Sequence, residues 1–198
     1  VDALTGIAVG VGLSAASGFR AFVPLLVTSL AARAAFLRLA PGMEWIATDP
    51  ALIAFATATI LEVLAYFNPW VDNLLDTIAT PVALIAGTLV TAAVVTDLPP
   101  LIRWTVAILA GGGAAGLFQM LTVLLRLKST MTTAGLANPV VAAAELIGAL
   151  MLSLLALVAP LVCLAIVVWA CAFVIRGAGR VLRRPQAAAS GPAKRGTG

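Results

Sequence analysis

The chain has 198 residues, 62% of them hydrophobic and 10% charged, with a net charge of +4, no histidine and a mean hydropathy of +1.12. A soluble domain of this length has no single core large enough to hide that much apolar surface, so the composition excludes an ordinary globular enzyme and points to lipid as the solvent. The lack of histidine also removes the usual serine-triad chemistry and most zinc sites.

The start, Val1-Asp2-Ala3, carries an acid and no basic residue and runs straight into apolar sequence, so it reads as the beginning of a first span and not as a removable signal. Breaks at Ala40-Pro41-Gly42, Asp49-Pro50, Asn68-Pro69, Thr80-Pro81, Asp97-Leu98-Pro99-Pro100, Asn138-Pro139 and Ala159-Pro160 divide the chain into apolar segments at about 4–33, 51–67, 81–97, 101–127, 139–158 and 160–177. Charge-free runs at 77–96, 104–125 and 146–175 reach the ~20 residues that cross a ~30 Å hydrocarbon core as helix. The alternation of a barrel strand is absent. The expected fold is all-α: a polytopic helical membrane protein with six transmembrane helices over 1–177 and a basic, disordered tail over 178–198.

Within the first segment Gly6, Gly10, Ser14 and Gly18 repeat at four-residue spacing, and Gly112 and Gly116 do so in the fourth. Lipid supplies no hydrophobic drive between helices, so small faces serve close packing, and Gly10, Ser14, Gly18, Gly112 and Gly116 are expected where the two segments cross. Gly18-Phe19-Arg20-Ala21-Phe22-Val23-Pro24 sets a permissive residue and a helix breaker around an arginine, which predicts a broken or kinked helix.

Asn68-Pro69 resembles a helix start, with Asp72 and Asp76 then sharing one face at i, i+4. These two acids fit either a solvated turn at the membrane interface or a fold-back that gathers acids near Arg20. Arg20, Glu62 and Glu145 all sit inside apolar segments, where a charge costs about 2.5–3.5 kcal/mol on insertion scales unless it faces protein, a partner or water. For Arg20, a structural ion pair with Glu62 or Glu145 and a role in ligand binding are both open.

The segment carrying Ser14-Ala15-Ala16-Ser17-Gly18 and the one carrying Gly112-Gly113-Ala114-Ala115-Gly116 are each followed by basic residues, then by Asp49-Pro50 or Asn138-Pro139, then by Glu62 or Glu145. Two such three-span units would be inverted relative to one another, a 3+3 repeat. Cys163 and Cys171 lie in the last segment and serve packing; no metal or cofactor is implied. Arg176, Arg180, Arg183, Arg184, Lys194 and Arg195 place the C-terminal end at anionic lipid on the cytoplasmic side, and an even number of spans puts both termini there. Arg126 and Lys128 count as further loop charges on that side. The implied partners are the bilayer and, for a chain of this size, a second copy of itself; nucleic acid is not among them.

Ala15-Ala16-Ser17-Gly18-Phe19-Arg20-Ala21-Phe22-Val23-Pro24, Leu61-Glu62-Val63-Leu64, Pro69-x-x-Asp72-Asn73-x-x-Asp76 and Ala110 to Gly116 together resemble DUF4126, a family of small bacterial and plastid-related membrane proteins without an assigned activity. The resemblance spans about residues 5 to 176. It implies that Arg20, Glu62, Asp72 and Asp76 form one constellation, and a bacterial inner membrane as location. With Glu145 added, these residues form the expected polar centre of a small transporter or channel-like permease. The alternative is a non-transporting scaffold or assembly factor whose buried charges are structural ion pairs. Enzyme activity is not expected, since Gly111-Gly112-Gly113 lies within an apolar run and no nucleophile and base can be paired.

Overall fold

The computed structural model describes residues 3–65, 69–133 and 138–189, with side chains over 3–65, 78–133 and 140–176, and among the described residues it is helical without strands. In order come α1 (Ala3–Ser17), α2 (Phe22–Arg33), a 3-10 turn (Glu44–Ala47), α3 (Asp49–Leu64), α4 (Pro69–Val94), α5 (Pro100–Val106), a π-helical turn (Ala107–Gly112), α6 (Gly113–Thr133), α7 (Asn138–Val158) and α8 (Pro160–Ala189).

A helix made of Gly, Ala, Ser and Val has no polar face to present to water, and α1 is accordingly the central element, with 11 of its 15 residues buried. It packs against α4, α6, α7 and α8. Its small face lets α4 come close: the Thr91 hydroxyl donates to the Gly10 carbonyl at 3.0 Å, Ser14 and Thr91 hydroxyls pair at 2.8 Å, and the Ser14 hydroxyl also donates to the Gly87 carbonyl. Gly111 and Gly112, in the π-helical turn, bring that segment onto Thr91 and Thr88 of α4 in the same way.

The first apolar segment breaks between Ser17 and Phe22. The Gly18 amide still bonds the Ser14 and Ala15 carbonyls and the Arg20 amide bonds Ala16 at 3.1 Å, after which the chain restarts as α2. Pro24 is the third residue of α2, inside the first turn, where an amide has no intrahelical acceptor to lose. A Cβ on Gly18 would collide with the Ala115 carbonyl and the Phe118 side chain, so the break is packed directly on α6. At its other end α2 closes with the Phe36 amide on Ala31 at 2.9 Å and the Ala35 amide on Ala32 at 3.1 Å, and Ala35 takes the left-handed position at φ 56°. The following loop is tied down by Arg33, which pairs with Asp49 at 2.7 Å, and by buried Arg103, which donates to the Pro41 carbonyl at 3.3 Å.

The six-span expectation fails. Among the described residues only Pro100–Thr133, 34 residues through α5, the π-helical turn and α6, and Val140–Val158, 19 residues of α7, are long and apolar enough to cross a membrane. The break at 18–21 leaves α1 and α2 with 15 and 12 residues, or about 22 and 18 Å at 1.5 Å each, short of a ~30 Å core. In α4 and α8 the stretches with described side chains, Ile78–Val94 and Pro160–Arg176, are apolar over 17 residues each, within helices of 26 and 30 residues. Pro81, expected to open a segment, lies inside α4, where it removes the amide that would bond the Thr77 carbonyl and sets its ring against that carbonyl. Without three spans in each half, the 3+3 repeat falls with the six-span count. At the C-terminal end α8 extends to Ala189, and 190–198 lies outside the described residues.

Candidate functional site

The break between α1 and α2 carries Arg20 into the interior, where it is 8% exposed. An arginine there needs an acceptor, and α7 supplies it: Arg20 Nη2 donates to Glu145 Oε2 at 2.8 Å. The same carboxylate takes a two-pronged contact from α6, with Arg126 Nε donating to Oε1 at 3.0 Å and Nη2 to Oε2 at 2.7 Å. Such fork geometry is the strong form of a guanidinium–carboxylate pair. Glu145, 4% exposed, thus joins three segments of chain.

Glu62, in the last turn of α3, has different partners. Its Oε1 accepts the Ala21 amide at 3.2 Å and its Oε2 the Phe22 amide at 3.4 Å, so it caps α2 from a neighbouring helix. Ala21 at the N-cap has no side chain to do this, and a carboxylate complements the positive end of a helix. Although Glu62 is only 8% exposed, it makes no ion pair among the described residues. Arg20 attracts it through space while directing its salt bridge to Glu145.

These four charges line one cavity of about 350 Å³. Gln119, Thr122 and Thr130 of α6 add polar groups, and the Thr122 hydroxyl donates to the Phe118 carbonyl at 3.1 Å. The remaining wall is apolar, with Phe19 and Phe22 beside the break and Ile78, Val82, Val123 and Leu127 opposite. Phe19 is held edge-on against Phe118, ring centroids 5.3 Å apart.

Arg20, Glu62 and Glu145 therefore meet at one site, and of the two pairings open to Arg20 the salt bridge goes to Glu145. Asp72 and Asp76 are on α4, but their side chains lie outside the described residues. Gly10 faces Thr91, Ser14 bonds Gly87, Gly18 abuts Ala115, Gly112 faces Thr88 and Gly116 faces Leu84, so the small-residue faces of α1 and α6 both pack on α4 as well as on each other. Cys163 is buried beside Gly12 and, like Cys171, is a free thiol.

Arg126 is the residue that sequence reasoning missed. Assigned there to a cytoplasmic loop, it belongs to α6 and to the cavity, which also removes it from the charge count used for orientation. The available signal was the spacing of Gln119, Thr122, Arg126 and Thr130, a polar stripe on one helical face. The arrangement sets four charged side chains and an apolar wall around one cavity. No curated protein and no solved structure matches the chain. The family model for the domain of unknown function DUF4126 matches residues 7–180, and the chain belongs to that family.

Proposed function

We propose that the protein is a bilayer-embedded permease in which Glu62 is the acid that takes up a proton or cation from the central cavity. Embedding is supported by the two long apolar helices and by large apolar side chains on the outer surface such as Leu109, Met151 and Trp169. Contiguous apolar surface of that kind is matched to lipid and poorly matched to water. The basic residues after Arg176 put the end of α8 on the cytoplasmic side.

One observation carries the functional reading. Glu62 faces the cavity without an ion-pair partner among the described residues, whereas Glu145 is occupied by two guanidiniums. A carboxylate offers about four lone-pair sites, and the two backbone amides use two of them. The purified full chain in liposomes with an internal pH dye should pass protons down an imposed gradient, and Glu62→Gln should abolish that flux while eluting as the same folded species. Equal flux in the variant, or none in the wild type, refutes the permease.

Glu145 favours a second reading, that of a scaffold, because one carboxylate clamping two helices and the α1–α2 break is what a purely structural ion cluster does. A scaffold conducts nothing, loses its fold when Arg20 is replaced, and loses its cellular role when residues 178–198 are removed.

A further inference from the structure

The cavity wall carries more information than its charges. We infer that the site takes a small organic ammonium with an apolar body, its nitrogen on Glu62 and its body against Phe19, Phe22, Ile78 and Val82, in exchange for a proton. This rests on the permease reading and adds the ligand class.

The chemistry of the lining separates the candidates. A hard inorganic cation such as Ca²⁺ wants about six to eight oxygens. The described lining offers one carboxylate outside an ion pair, one amide and two hydroxyls, with nine apolar side chains that a bare ion cannot use. An anion would have to displace Glu145 from Arg20 and Arg126, and neither guanidinium is otherwise free. An ammonium with an apolar body uses both parts of the lining: its N–H groups meet the spare lone pairs of Glu62, and its body meets the Phe19 and Phe22 side chains that line the same cavity. The volume, about 350 Å³, stands at the small end of the roughly 300–1,000 Å³ range of ligand pockets.

Exchange follows from geometry. A proton and an ammonium need the same Glu62 oxygens, so one excludes the other, and no redox or bond-breaking step is involved. The charged groups facing Glu62 are Arg20 from the α1–α2 break, Arg126 from α6 and Glu145 from α7; α4 presents only Ile78, Ala79 and Val82 among its described side chains. Because Glu62 also holds the Ala21 and Phe22 amides, occupancy of the cavity is read directly by the start of α2.

The test is calorimetric titration of the full chain in detergent with phenethylammonium, phenylalanine, benzoate and sodium chloride, each at several pH values. Phenethylammonium should bind saturably and weaken as the pH falls, and Glu62→Gln should weaken it by more than about tenfold. The ligand series on the wild type decides the class even if that variant misfolds. Tighter binding of benzoate or phenylalanine, or heat from sodium with none from the amine, overturns the inference. Glu62-dependent proton flux without amine binding overturns the ligand class and leaves the permease standing. Amine binding without any flux upholds the class and removes the permease.

Discussion

Glu145 accepts three charge-assisted hydrogen bonds from two guanidiniums, whereas Glu62 accepts two from backbone amides, and the difference decides what each tolerates. Glu145→Gln leaves buried Arg20 and half-buried Arg126 without their carboxylate, and loss of one partner from a buried pair costs about 3–5 kcal/mol. Thermal unfolding in detergent should show that loss, and the double change Glu145→Gln with Arg126→Gln should cost less than the sum of the two single changes. Equal additive losses would mean that the cluster is not coupled. Glu62→Gln keeps an amide oxygen for one of the two backbone donors, so it should melt closer to the wild type. The sequence exposes Arg20, Glu62 and Glu145 because each interrupts an apolar run. Arg126 escapes notice because it sits beside Lys128 at the end of such a run, where charge is ordinary, and because its partner is 19 residues away on another helix. The distinction between a closed and an open carboxylate depends on which donors fold next to them, and no spacing encodes that.

At the level of elements, glycine and proline carry opposite lessons. The Gly18–Pro24 stretch does break the first segment, because Gly18 has no Cβ to collide with α6 and Pro24 fits the first turn of a new helix. Thr80-Pro81 reads as a boundary just as plainly, yet α4 continues through it: the cost of about 3 kcal/mol for an interior proline is offset by the packing of this 26-residue helix along α1. The sign of a proline is therefore set by what packs around it. Ala35 is a case where local chemistry and observed geometry disagree: it occupies the left-handed position after α2 that glycine takes without steric cost. A left-handed conformation costs an L-residue about 1–2 kcal/mol, so Ala35→Gly should raise stability by up to about 1 kcal/mol once the extra freedom of glycine in the unfolded chain is subtracted. Chemical denaturation in detergent reads this directly, and a lower midpoint would show that the turn is held by the Arg33 contacts and not by its own dihedrals.

For the whole molecule the question is what surrounds it. The composition predicts an apolar solvent, but the number of crossings depends on where helices stop, and here α1, the most apolar-looking opening of the chain, is an interior helix that packs against four others. Among the described residues the two helices both long and apolar enough to cross a membrane are instead α5–α6 and α7, and Arg126 with Glu145 pins them together inside the molecule. Their outer faces remain: Met151 on α7 is 59% exposed and is not among the residues that line the cavity. That position separates the two environments by sign and size. In water a substitution at an exposed site changes stability by about 0.5 kcal/mol or less, whereas an aspartate facing hydrocarbon near the middle of a span costs about 2.5–3.5 kcal/mol of insertion. Met151→Asp should therefore shift the chain out of the alkaline-carbonate-resistant membrane pellet, while Met151→Leu stays with it. If the aspartate variant remains in the pellet at wild-type yield, α7 does not face lipid at Met151, and its exposed apolar stripe must be covered by protein.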